Sequence, residues 1–205
     1  MVQGVICLQA KEIVRARPFT DPDHIANDRN TLRYMLTQLC LLLEYPYRIP
    51  RTVLFTRSED DEWFHRLVLP RPEQLRVQKP VTVVGFFGQR REKANLELAH
   101  EFDRILIAEI DDHPGLLSYS TMALAGGNYG NLVLFANRNA RNHWSTSQAH
   151  AQAVNMLAPG YYRSVRIYNG RLPDGIANSR GLRLTRAKYF DYCSDPLWQA
   201  VREIE

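Results

Sequence analysis

The sequence predicts an α+β fold whose centre runs strand, helix, strand, strand, helix, strand. Three observations predict it. Residues 80–172 alternate β-branched and aromatic runs with stretches of helical spacing. Gly126-Gly127-Asn128 separates two of the strand-like runs by a turn alone, which makes a central hairpin. Hydrophobic residues make up 45% and charged residues 23%, the balance of a chain that folds around a core.

Each element follows from local chemistry. Pro80 precedes VTVVGFFG, a strand ended at Gly88. Leu96, Ala99, Phe102, Leu106 and Ile110 recur at helical spacing, and the helix should stop before His113-Pro114-Gly115. GLLSYSTMALA and YGNLVLFAN flank the hairpin turn. A second helix is expected from about 139 to 157, closed by Pro159-Gly160, and YYRSVRIYNG makes the last strand. This order is the ferredoxin-like arrangement, with both helices on one face of a four-stranded sheet.

Outside this core, residues 1–79 form an N-terminal α/β extension, possible as a degenerate half-repeat. It holds a strand within 2–8, a helix over 26–44 with the stripe Leu32, Met35, Leu36, Leu39, Leu42 and Leu43, and a strand at 51–56. Residues 57–79 are charged and proline-bearing and read as a connection. Residues 173–205 read as a C-terminal tail packing on the core: a loop, a strand at 182–186 and a short helix at 196–204.

The formal charge of +4 is unevenly spread. Pro159 to Lys188 carries seven bases and one acid, and the remainder is slightly acidic. A general nucleic-acid coat is therefore not expected, and VTVVGFFG lacks the motif of RNA-binding sheets. No apolar run approaches the ~20 residues of a membrane span, and the N-terminus lacks a signal-peptide pattern. Cys7, Cys40 and Cys193 lie far apart without a CxxC, which predicts a reduced, cytoplasmic setting.

The chain lacks a P-loop, a G-x-S-x-G and an H-E-x-x-H. On a continuous second helix, His143, Ser147 and His150 share a face, but two histidines seven residues apart are about 10 Å apart along the axis and cannot share one ion. No metal site is expected. His150 is either a core-edge histidine or an acid/base, and Trp144 either a packing anchor or a ligand contact. On the last strand Tyr162, Ser164, Arg166 and Tyr168 alternate with Tyr161, Arg163, Val165 and Ile167. The first set should look out from the open sheet face, where a second copy of the chain would pack. Arg166 there either grips a carboxylate or phenolate or closes an ion pair at the seam between copies. Phe86 or Phe87, and Tyr119 in preference to the Ser118/Ser120 parity, would line the same cavity.

The element order over 80–172 and the helix NARNHWSTSQAHAQAV, with Trp144 and Ser147-x-x-His150, resemble the dimeric α+β barrel superfamily, in its antibiotic-biosynthesis-monooxygenase-like branch. The resemblance covers under half of the chain. It implies a homodimer and a small-molecule ligand, with members that include cofactor-independent oxygenases of aromatic substrates and haem-degrading enzymes. The expectation is a small-molecule-binding protein or enzyme, with oxygenase-like activity on an aromatic or anionic ligand. His150 and Arg166 would be the reacting pair, and Phe86, Tyr119, Trp144, Tyr162 and Tyr168 the walls. No cofactor is required. The alternatives are haem, held by His150 or His143, and a dimeric scaffold whose basic segment meets an acidic partner.

Overall fold

The computed structural model describes residues 4–44, 49–56 and 64–204. They form an α+β structure on a single mixed sheet. Its strands are β1 (Ile6–Cys7), β2 (Thr52–Thr56), β3 (Phe64–Val68), β4 (Val81–Arg90), β5 (Leu116–Leu124), β6 (Asn128–Phe135), β7 (Tyr162–Leu172), β8 (Arg183–Asp191) and β9 (Trp198–Glu203). Their order is β1-β9-β8-β7-β4-β6-β5-β3-β2. Among the described residues only the β1–β9 pair is parallel, and the sheet does not close into a barrel. The extension, the centre and the tail all contribute strands to it.

Over 81–172 the elements follow the expected order, with β7-β4-β6-β5 side by side. Helix α3 (Leu96–Glu109) starts at Asn95, whose side chain accepts from the Leu98 N–H at 3.0 Å. The β5–β6 turn places Gly126 and Gly127 at φ 72° and 71°, a region open to glycine. The second helix is broken where a continuous one was expected. Helix α4 (Arg138–Ser145) ends at Thr146, and Ser147 caps α5 (Gln148–Gln152). A π-helical turn (Ala153–Leu157) then leads into α6 (Ala158–Tyr161), so Pro159 and Gly160 lie inside the last turn instead of closing the helix. Pro159 follows directly on the π-helical turn, where the regular i→i−4 ladder is already interrupted.

The largest departure is the cover of the sheet. Helix α1 (Asp23–Leu43) presents the predicted stripe, and Leu32, Met35, Leu36 and Leu39 are fully buried. They pack with Val81, Val83, Phe87, Leu132 and Leu134 on the face opposite α3 and α4. Gly85 permits the approach, because a Cβ there would sit 2.7 Å from Leu32 Cδ1. On the other face Val68, Leu116, Tyr119, Val133 and Phe135 pack with Ile110 and Trp144. The molecule is three layers deep, and the face expected to need a second copy is covered from within the chain.

Two further expectations change. The 57–79 connection contains β3 and a short helix α2 (Pro72–Val77), with residues 57–63 outside the described set. The helix expected at 196–204 is strand β9, in which Trp198, Ala200 and Arg202 are buried and Gln199, Val201 and Glu203 are not. That period of two is a strand signal, and pairing with β8 satisfies its backbone.

Candidate functional site

Strand pairing divides the expected site between two faces of the sheet. Arg166 and Tyr168 lie under α1. The Arg166 guanidinium donates from Nε to Asp28 Oδ2 at 2.7 Å and from Nη2 to Oδ1 at 3.0 Å, and the Tyr168 hydroxyl donates to Oδ2 at 2.8 Å. All three side chains are buried. Of the two alternatives for Arg166 this is the ion pair, closed with α1 of the same chain and not at a seam between copies. Burial raises the Tyr168 pKa above its ordinary value and Asp28 adds to that rise, while Asp28 also holds the Arg166 charge in place. Phe87, not Phe86, meets Tyr168, at 5.9 Å between ring centroids.

The other expected walls face α3–α6. A register shift opposite Gln89/Arg90 detaches Tyr162 from the Ser164–Arg166–Tyr168 alternation. Its ring lies over Gly88 and packs edge-on against Phe86 at 5.2 Å. A second shift between Leu116 and Ser118 turns Tyr119 away from Arg166 and toward Trp144, with ring centroids 6.4 Å apart. The preferred parity for Tyr119 is thus reversed, because one bulge residue exchanges the two faces of a strand.

On this helix-covered face the pairing aligns Ile167, Phe86, Asn131, Thr121 and Arg66 in one row across five strands. Arg66 is held in a bidentate pair by Asp103 of α3 at 2.7 and 2.6 Å. Asn131 Nδ2 donates to the Tyr119 hydroxyl at 3.3 Å, while its Oδ1 is buried with no hydrogen-bond partner. Burial, reinforced by Asp103, pushes the Tyr119 phenol up to about 12 and keeps it protonated.

Above the row, Trp144 is buried between Tyr119 and His150, whose ring centroid lies 6.0 Å away. Ser147 explains the S-x-x-H spacing. Its hydroxyl caps α5 by accepting from the His150 N–H at 3.3 Å and donates to Glu109 Oε2 at 3.1 Å. His150 Nδ1 is buried without a partner. Burial lowers the His150 pKa, partly offset by the Ser145 backbone and by Glu109, so the imidazole is neutral at pH 7. The break at Thr146 and Ser147 removes the continuous face expected for His143 and His150, and His143 turns instead to His113.

Sequence reasoning missed Asn131, Asp28 and the Arg66–Asp103 pair. Asn131 left a trace, being a carboxamide at the parity of Val133 and Phe135 directly before the apolar run LVLF. Sequence reasoning treated His65 as a weak signal outside the core, whereas the residue is fully buried between the rings of Tyr34 and Phe55, with Nε2 2.7 Å from Ser120 Oγ. Burial pushes its pKa down to about 4. Below about pH 6.5 the unfolded chain takes up a proton that the folded chain refuses, so stability falls as pH drops toward 4, by about 3 kcal/mol in total. Urea titrations at pH 7.5 and 4.5 should show this loss in the wild type and a smaller one in His65→Gln; equal losses would remove His65 as the cause.

Among the described residues no group of three or more His, Cys, Asp or Glu is arranged to hold a metal ion, and no helix is long and apolar enough to cross a membrane.

No protein-family model matches the chain, and no curated protein matches it. Solved structures do. Protein SO0527 from Shewanella oneidensis is 14% identical with a TM-score of 0.40, over 46% of this chain and 91% of its own. The NE2512 protein of unknown function from Nitrosomonas europaea is 14% identical with a TM-score of 0.41, over the same shares. Rv0793 from Mycobacterium tuberculosis is 22% identical with a TM-score of 0.38, over 44% of this chain and 92% of its own.

Proposed function

We propose that this chain is a small-molecule-binding protein, with oxygenase-like chemistry on an aromatic ligand, whose site lies between the helix layer and the sheet. In this reading residues 81–172 are a ferredoxin-like core of the dimeric α+β barrel type, and α1 is an added cover. The carrying observation is the pair of buried acceptors without partners, Asn131 Oδ1 and His150 Nδ1, beside the rings of Phe86, Tyr119, Trp144 and Tyr162. An unsatisfied buried acceptor costs about 1–3 kcal/mol, which a ligand hydroxyl or N–H recovers. With Arg166 committed to Asp28 and Arg66 to Asp103, the ligand is a neutral hydroxyaromatic, not a carboxylate. Neutral His150 takes up the phenolic proton, and the Tyr119 hydroxyl faces the oxygen that becomes negative.

Titration of a naphthol, followed by Trp144 fluorescence, tests this. Binding should weaken by at least about tenfold in Asn131→Ala and in His150→Ala, and the fluorescence change should disappear in Trp144→Phe. No binding in the wild type would end the reading. Haem is the second reading, favoured by the unpartnered His150 Nδ1. It requires a Soret band lost in His150→Ala and kept in His143→Ala. A homodimer belongs to the proposal; with α1 over one face of the sheet, the second copy meets another surface, and sedimentation equilibrium reads its presence. The acidic-partner alternative rests on the basic segment with Arg180, Arg183 and Arg186; of these Arg180 lines an open groove with Arg33, Thr37 and Ser179, and Arg186 is paired with Glu203. Charge reversal at Arg180, Arg183 and Arg186 would abolish capture of such a partner and leave naphthol binding intact.

A further inference from the structure

A second cluster lies at the end of α3 and adjoins the proposed ligand site, with the His113 ring edge-on to Trp144 at 4.9 Å between centroids. His113 follows the helix and is buried, whereas His143 on α4 is exposed. Their Nδ1 atoms face each other at 3.1 Å, and the two ring centroids are 4.9 Å apart. On the far side of the His113 ring, Nε2 has no hydrogen-bond partner and points toward Glu109 Oε1 at 3.7 Å. Glu109 is itself fixed by Ser147 through its other oxygen.

We infer that His113 Nδ1 and His143 Nδ1 together bind a divalent transition-metal ion of the zinc, cobalt or copper type, with the Glu109 carboxylate as a nearby negative charge on the far side of His113. At a metal–nitrogen distance of about 2.1 Å, two ligand nitrogens lie about 3.4 Å apart at a tetrahedral angle and about 3.0 Å apart at a right angle. The observed 3.1 Å falls between these. Coordination through Nδ1 requires the remaining His113 proton on Nε2, the nitrogen that faces Glu109. Glu109 Oε1 at 3.7 Å is too far to accept that proton in a hydrogen bond, and it favours the Nε2–H tautomer only as a nearby negative charge. Two protein ligands leave the other coordination positions to water, which predicts modest affinity. The exposed His143 side gives the ion its entry.

The competing arrangement is one N–H···N hydrogen bond between the rings, with no ion. Calorimetry of the untagged protein with Zn2+, and Co2+ absorption, separate the two. One ion per chain should bind, at least about tenfold more weakly in His143→Gln, with a smaller loss in Glu109→Gln. The Cys7→Ser/Cys193→Ser double variant should bind as the wild type does, which excludes the exposed thiols. Because His143 is exposed, His143→Gln should fold, and its thermal midpoint checks this. Long-range 15N spectra should move at Nδ1 of both rings. Zn2+ binding that His143→Gln leaves unchanged, or a wild type that binds no ion, would overturn the inference.

Discussion

Asp28→Ala is expected to remove about 3–5 kcal/mol of folding stability, because it strands a charge that the fold has taken out of water. Asp28 is 6% exposed and Arg166 7% exposed. The carboxylate carries three charge-assisted bonds, two from Arg166 and one from the Tyr168 hydroxyl, and it joins α1 to the middle of the sheet. Its loss leaves a guanidinium and a phenol unpaired beneath the helix. Asp28→Asn keeps the shape without the charge and should cost less. Asp28→Leu combined with Arg166→Met replaces the pair with apolar groups and should restore most of the loss. Urea unfolding of the wild type, Asp28→Leu, Arg166→Met and the double variant completes the cycle that measures the coupling. A cost below about 1 kcal/mol for Asp28→Ala would show that the pair is not desolvated as described. The doubly substituted protein also separates stability from function. Naphthol binding should survive in it, since Arg166 faces the wrong side of the sheet to touch that ligand.

Arg202→Ala should produce the second large effect, about 3 kcal/mol. Arg202 is among the largest fully buried side chains. Its guanidinium donates to the carbonyl oxygens of Gln9, Glu12 and Thr20 and to the Tyr189 hydroxyl, and it lies 5.3 Å from the Tyr189 ring centroid. It ties the segment before α1 to the strand next to the sheet edge. Truncation leaves carbonyl acceptors buried without donors and frees that segment. Arg202→Lys should recover little, because one ammonium cannot reach the positions that the planar fork spans. Limited proteolysis should then cut within residues 9–20 while the rest of the chain remains resistant. A variant whose midpoint and cleavage pattern match the wild type would refute this role.

Much of the fold was legible locally. The alternation of VTVVGFFG, the helical spacing from Leu96 to Ile110, the hairpin glycines and the α1 leucine stripe each specify an element from neighbours in sequence. Misreadings arose where two patterns compete over a few residues. WQAVRE is short enough to read as a helix, and the open edge of β8 decides for a strand. The S-x-x-H stretch was visible, but the helix break that gives Ser147 its capping role was not. Of the candidate walls, Phe86, Tyr119, Trp144 and Tyr162 do share a face, while Tyr168 and Arg166 occupy the other.

By itself the sequence determined the strands and the first helix of the centre and the apolar stripe of α1, and that the centre is a four-stranded antiparallel unit with helices between its strands. These depend on contacts within a few residues. Only the tertiary structure decided which side chains meet. One bulge residue reverses the direction of every side chain beyond it, so Tyr119 and Tyr162 changed faces for reasons set by the neighbouring strand. Arg166 needed a counter-charge once buried, and the nearest one came from Asp28, 138 residues away in the chain, on a helix whose docking no local pattern encodes.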